Sequence, residues 1–287
     1  MASLRDIRRR IKGVKNIRQV TRAMNMIAAA RLRRAQAKAE SARPYADRLT
    51  TILQDVVASG GALRHPLMAQ RAIRRVALVV VSADRGLCGA FNAGILRDAT
   101  RFLREQTVPV DVFTVGRKAR DHFQRLGANV VAHFPQPSRD AKLEEFTKIS
   151  QQIISDYGTG KYDQVTLVYV KFVSVLKSVP TVTALLPLSP PAKADKPAGA
   201  AYEFEPAAEE LLNTLLPQYV EVLLYRALVE SLASEQAARM VAMKAATDSA
   251  SDMIQGLTRE YNSARQGSIT TALLEVVAGA DAMTKKD

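Results

Sequence analysis

Apolar residues near the start of the chain recur at Leu4, Ile7, Ile11 and Val14, the 3-4-3 spacing of a helix that buries one seam against another helix. Ile17, Val20, Met24 and Ile27 carry the stripe on with one phase slip. That slip is a run of three-residue steps, which predicts local overwinding of the supercoil. Leu32 and an alanine-rich stretch follow, Pro44 predicts a kink, and Leu49, Ile52, Leu53, Val56 and Val57 form a last apolar patch before Ser59-Gly60-Gly61 ends the helix. The other end of the chain keeps stricter time. Met240, Met243, Thr247, Ala250, Ile254, Leu257, Tyr261 and Ala264 step 3-4-3-4-3-4-3. This is the core of a helix predicted from about Ala207 to Ala282, which spans about 110 Å at a rise of ~1.5 Å per residue. Pro217 falls in its first turns, where proline is tolerated, and Gly256 and Gly267 each weaken it by about 1 kcal/mol relative to alanine.

Between these helices the period changes. Val76–Val81 is a continuous apolar run rich in β-branched valine, the mark of a buried strand. A glycine-bearing turn and a helix from about Asn92 to Glu105 come next. Val110–Val115 is predicted as a strand, Lys118–Leu126 as a helix, Asn129–Ala132 as a short strand, Leu143–Asp156 as a helix and Gln164–Phe172 as a strand. Ser178–Leu188 looks extended and suited to pair antiparallel at an edge. The alternation predicts a small, mostly parallel sheet covered by helices. Residues 189–205, opening with SPPAKADKPAGA, are too polar and proline-rich to pack and read as a linker.

A helix of this length needs lateral support, and the only other helix with a matching seam is the first. Both lead into the same central region, so they must run antiparallel, and the longer C-terminal helix must project past the end of the pair. The expected fold is therefore α/β: a long antiparallel two-helix coiled coil of the N- and C-terminal helices plus a Rossmann-like α/β domain. Its parts are residues 1–60 (first helix), 70–205 (sheet domain with linker) and 207–284 (last helix).

Charge adds a partner class. The chain carries a formal +13. Residues 1–40 hold twelve Lys or Arg against Asp6 and Glu40, whereas residues 207–287 hold seven basic and eleven acidic residues, so the two ends differ in sign. Opposite signs suit pairing of the ends, and the overall balance suits acidic partners, whether nucleic acid, an anionic membrane surface or protein. A nucleic-acid-binding coiled coil is the alternative this charge supports. It is weakened by the absence of aromatic residues from positions 1–40, which leaves no platform for stacking bases. No apolar run is long enough to span a membrane, so any membrane association is expected to be peripheral.

Candidate chemistry is sparse. Cys88 stands alone, and His65, His122 and His133 are scattered, so neither a disulfide nor a metal site can be assembled. The turn Ser82-Ala83-Asp84-Arg85-Gly86-Leu87-Cys88-Gly89 lies where open sheets place phosphates. It lacks the Gly-Lys-Ser/Thr of a P-loop and the third glycine of a dinucleotide fingerprint. Gly86 and Gly89 are read instead as allowing tight packing of helix on strand. Asp84 and Arg85 at the strand end are a single acid–base pair and make no catalytic constellation. No catalytic, cofactor-binding or metal-ligating residue is assigned.

Three stretches resemble one family. Ser3–Gln36, with Val20-Thr21-Arg22-Ala23-Met24-Asn25-Met26-Ile27-Ala28, resembles the first helix of F-type ATP synthase gamma subunits. Ser82–Asn92 is close to that family's S-D-R-G-L-C-G-x-F-N turn, with Ala83 added. Tyr225–Ala280, including SEQAARMVAMKAATDSA and YNSARQGSITTALLEVVAGADA, resembles its last helix. The resemblance implies a non-catalytic rotor shaft coupling proton-driven rotation to conformational change at catalytic beta subunits. It implies alpha and beta subunits in an alpha3beta3 hexamer, an epsilon subunit and a membrane c-ring as partners, and a place at the cytoplasmic face of a bacterial plasma membrane. By matching positions, Arg265 and Gln266 would contact a beta-subunit loop. Met24, with the basic residues Arg9, Arg22 and Arg33, would pass the acidic levers of beta. Ile7, Ile11, Val14, Met240, Met243, Ile254, Leu257 and Tyr261 remain seam residues. Ala272 departs from the family, many of whose members carry Glu there.

Overall fold

The computed structural model describes residues 3–59, 65–136, 143–188 and 208–284. The 189–205 linker and Gly60-Gly61 lie outside the described residues. In chain order the elements are α1 (Leu4–Ser59), β1 (Val76–Val81), α2 (Phe91–Glu105), β2 (Val110–Val115), α3 (Arg117–Arg125), β3 (Asn129–Phe134), α4 (Leu143–Gly158), β4 (Gln164–Phe172), β5 (Ser178–Leu186) and α5 (Ala208–Thr284). A 3-10 turn, Pro66–Met68, precedes β1, and the His65 ring accepts a hydrogen bond from the N–H of Leu67 at its start. By contact the chain forms two units: Met1–Ile27 with Met240–Asp287, and Ala28–Arg239. Both terminal helices contribute to both units.

The larger unit is a five-stranded sheet in the order β3-β2-β1-β4-β5. β1 pairs parallel with β2 and β4, β2 pairs parallel with β3, and β5 closes one edge antiparallel to β4. The unbroken apolar run of β1 is explained by its two covered faces. Ala77, Val79 and Val81 pack with Leu49, Leu53 and Val56 of α1, with Ile149 and Ile153 of α4, and with the α5 stretch from Leu212 to Leu228. Leu78 and Val80 point the other way, onto Phe91 and Ile95 of α2 and Ala119 and Phe123 of α3. Each such large apolar side chain contributes about 1.5–3 kcal/mol on burial.

Gly86 does not serve the close packing expected of it: a Cβ built there meets nothing within 4 Å. Gly89 takes a left-handed backbone, at φ 55°. Close approach belongs to Gly94, whose Cβ would lie 3.1 Å from Pro180 Cγ, and above all to Gly116. Gly116 has φ +88°, and a Cβ there would stand 2.3 Å from the Ser82 carbonyl oxygen. The buried Ser82 hydroxyl accepts from the N–H of Ala119 at 2.8 Å and donates to the Val115 carbonyl at 3.1 Å, so the backbone has no room to retreat. Asp84 accepts from the N–H of Arg117 at 2.9 Å and so completes the start of α3. Pro44 lies inside α1, which continues through it to Ser59.

Gly116→Ala combines a left-handed backbone with a main-chain clash and is expected to cost about 3 kcal/mol. Gly86→Ala, with open space around it, is expected to stay within about 0.5 kcal/mol of the parent. Chemical denaturation of the purified chain separates the two.

Candidate functional site: the paired terminal helices

The smaller unit is an antiparallel pair, and its cross-helix contacts give the register. Arg8 donates to the Tyr261 hydroxyl, and its guanidinium lies 5.4 Å from the centre of that ring. Thr247 donates to Thr21 Oγ1 at 2.8 Å, and Asn25 donates to the Met240 carbonyl at 2.7 Å. Partners on α5 descend as those on α1 ascend. From Met240 to Ala264, Met243 and Ala250 are buried, and Met240, Thr247, Ile254, Leu257, Tyr261 and Ala264 are half-buried. On α1, Ile7 is buried and Ile11 and Val14 are half-buried.

The expected phase slip is not there. Ile17 and Val20 are each 57% exposed, and Ile27 is also exposed. The seam continues in heptad step from Val14 to Thr21 and Asn25, whose polar groups have the cross-helix partners named above. Polar groups are admitted to the seam because each finds a partner there. Ile17, Val20, Met24 and Ile27 instead share a stripe beside the seam. Met24 is half-buried at its margin.

Opposite charge at the chain ends produces no cross-helix ion pair among the described residues of this unit. Among the described residues of this unit, the one ion pair is Arg9–Asp6 at 2.9 Å, within α1. Arg9 and Arg22 are exposed, and so are Arg265 and Gln266. Arg33 is an exposed α1 residue of the larger unit. From Arg265 onward every α5 residue whose burial is described is exposed, including Ile269, Leu273, Leu274, Val276 and Val277. The described pairing therefore ends near Ala264, and about 30 Å of helix runs on from Arg265 to Thr284.

The nucleotide reading of the turn after β1 meets a direct obstacle. In this strand order the crevice for a ligand opens outside the carboxyl ends of β1 and β4, where the order reverses. α5 occupies that place: Ser231 accepts from the N–H of Val170 in β4 at 2.9 Å, and Arg239 donates to the Gly86 carbonyl at 3.3 Å.

The family described as ATP synthase matches residues 3–283. The ATP synthase gamma chain of Pelotomaculum thermopropionicum is 45% identical over 283 residues, covering 99% of this chain and 100% of that one. The chain belongs to the ATP synthase gamma chain family. The gamma chain of Desulforamulus reducens is 44% identical over the same share of each. Among solved structures, the central stalk and c-ring assembly of the Tetrahymena thermophila mitochondrial ATP synthase contains a chain that matches with TM-score 0.60 and 26% identity. That match covers 79% of this chain and 99% of the other. A chain of the Euglena gracilis mitochondrial enzyme matches with TM-score 0.69 over 98% of this chain and 94% of its own, at 19% identity, and speaks for the fold. Nothing in these comparisons supports a nucleic-acid-binding coiled coil. Within the family's frame the exposed stripe of Ile17, Val20 and Ile27 is what hydrophobic patterning missed. The sequence signal was the pair of polar residues, Thr21 in heptad step with Ile7 and Val14, and Asn25 in heptad step with Ile11.

Ile7, 2% exposed, is expected to lose about 2–4 kcal/mol on replacement by alanine. Ile17→Ala is expected to lose less than about 0.5 kcal/mol in the isolated chain. Equal losses in denaturant titrations would restore the slipped seam.

Proposed function

We propose that the chain is the central rotor shaft of the F1 part of a proton-translocating ATP synthase, a non-catalytic subunit that couples proton-driven rotation to conformational change at catalytic beta subunits. The observation that carries this reading is the stretch of α5 beyond Arg265, an uninterrupted helix with five large aliphatic side chains exposed. Apolar surface of that extent calls for a covering partner, and full-length similarity to gamma chains says which assembly supplies it. The partners are the alpha and beta subunits of an alpha3beta3 hexamer, an epsilon subunit and a membrane c-ring, in keeping with the central stalk and c-ring named for the Tetrahymena structure. Residues 1–60, 70–205 and 207–284 are its working parts: helix, sheet domain and helix.

Arg265 and Gln266 stand just past the end of the seam, exposed and ready to meet a beta-subunit loop. An arginine there gives charge-assisted hydrogen bonds to carboxylates. Arg9, Arg22 and Arg33 with Met24 form the complementary surface for the acidic levers of beta. The mechanism is linkage. An asymmetric rod touches each beta subunit differently and biases its nucleotide site, and site occupancy in turn favours particular rod angles. No described helix is long and apolar enough to cross a membrane. The shaft is then a peripheral part of a membrane complex, and its similarity to the Pelotomaculum and Desulforamulus chains supports a place at the cytoplasmic face of a bacterial plasma membrane.

The purified chain alone is expected to turn over no ATP, with activity arising once alpha and beta subunits are added; turnover by the chain alone would sink this reading. Arg265→Ala is expected to weaken the beta contact by about 2 kcal/mol and to lower proton pumping per ATP hydrolysed in the reconstituted enzyme. The melting curve of the isolated variant should not move. Unaltered pumping and rotation in that variant would remove the assigned contact.

A further inference from the structure

The stretch of α5 from Ser231 to Arg239 carries polar groups where a helix lying over a sheet is ordinarily apolar. Ser231, Ser234, Glu235 and Arg239 are all buried, with Glu235 only 2% and Arg239 7% exposed. Their spacing of three, one and four puts them on one face of the helix. Each of them reaches another group in the same unit.

Val170 lies past Val168, the last β4 residue paired with β1, and opposite Pro180 in β5, which has no N–H to give. Its two main-chain groups are met from α5 instead: the N–H donates to Ser231 Oγ, and the carbonyl accepts from Ser234 Oγ at 3.4 Å. Glu235 and Arg239 form an ion pair one helical turn apart. Gln136, two residues past the end of β3, donates to the second Glu235 oxygen, and its own Oε1 accepts from the N–H of Asp84 at 3.4 Å. Arg239 donates to the Gly86 carbonyl. The two ends of the buried pair are thus fastened to two points of one turn, Asp84–Gly86. Two residues past Gly86 sits Cys88, buried, its thiol pushed up by that burial, with Arg239 pulling the other way and Glu235 adding to the rise.

An ion pair used only for helix stability has no reason to be buried, since exposed pairs one turn apart do that work without desolvation. A buried pair is costly unless every lone pair and N–H is placed, and in return it tolerates one arrangement. We propose that Ser231, Ser234, Glu235 and Arg239, with Gln136, are positioning residues that key α5 at one rotational setting across the carboxyl ends of β1 and β4 and hold the Cys88 turn shut, so that torque carried by α5 is delivered to the sheet instead of being lost as slippage. The torque half rests on the rotor reading above; the keying half stands on the geometry alone. An apolar face would let the helix roll by small repacking steps. Directed bonds to the Val170 backbone, the Gly86 carbonyl and Gln136 are broken by the same roll.

Cys88 is a built-in reporter. Its alkylation by N-ethylmaleimide is measured in the purified full chain well below the melting temperature, with thermal unfolding followed by circular dichroism as the stability control. Arg239→Met is expected to raise the rate at least tenfold, and the milder Ser231→Ala and Glu235→Gln several-fold, with melting curves that still show a single cooperative transition. The exchanged pair Glu235→Arg with Arg239→Glu keeps an ion pair one turn apart but leaves no donor for the Gly86 carbonyl, so it is expected to stay fast. Rescue by the exchange, or wild-type alkylation rates in all three single variants, overturns the key. The same variants in enzyme reconstituted with alpha, beta and the membrane sector are expected to hydrolyse ATP while pumping at least twofold fewer protons per ATP. Fast alkylation with full pumping overturns the torque half and leaves the rotor reading standing. Failure of the wild-type chain to support any ATP-driven pumping overturns the rotor reading while the alkylation result still judges the key.

Discussion

Lateral support for one 77-residue helix organises this molecule. Helices in water are cooperative but weak, and most of their stability comes from what they pack against. α5 meets a different support in each successive stretch. From Leu212 to Leu228 it packs on the apolar face of the sheet. From Ser231 to Arg239 it is fastened by directed polar bonds. From Met240 to Ala264 it shares a seam with α1, and from Arg265 to Ala280 its side chains are exposed. The order of those supports is the order in which a rod would be anchored, gripped, stiffened and presented to a bearing.

The sheet was legible in the sequence because its signals are strong and local. β2 and β4 have the bounds their β-branched runs predict, and β5 pairs antiparallel at the edge as its position after β4 suggests. The seam of α5 was legible for a related reason: its heptad step is unbroken. α1 was harder because hydrophobicity and burial part company there. Ile17, Val20 and Ile27 are more apolar than Thr21 and Asn25, so a reading that follows hydrophobicity leaves the seam. What keeps Thr21 and Asn25 inside is a hydroxyl on Thr247 and a carbonyl on Met240. Neither partner can be identified without the register of the opposing helix.

The polar key was invisible for a different reason. Glu235 and Arg239 at a spacing of four look like any solvent-facing ion pair on a helix. Only the tertiary placement of α5 over the strand ends buries them, and only then do Gln136 and the Gly86 carbonyl come within reach. Gly86 in the neighbouring turn misled in the same way. A glycine between strand and helix suggests close packing, yet the crowding is at Gly116, one strand over, against the Ser82 carbonyl. Sequence position says which residue is special; the surroundings say why.

A doubly wound sheet ordinarily leaves the crevice at its strand-order reversal open for a ligand. Here the chain's own last helix lies in that crevice, and the groups that would meet a ligand serve the helix instead. The Gly86 carbonyl takes an arginine, and the main-chain groups of Val170 take two serines. A fold well suited to binding small molecules thereby becomes a socket for a rod, an instance of function residing in the site and not in the architecture. The same logic bears on the basic α1. Among the described residues of the helix pair no ion pair joins the two helices, and Arg5, Arg9, Arg10, Arg18 and Arg22 are exposed to solvent. The described contacts across the seam are apolar, hydroxyl and amide contacts together with the Arg8 guanidinium on Tyr261, so an acidic partner has no cross-helix ion pair to compete with there.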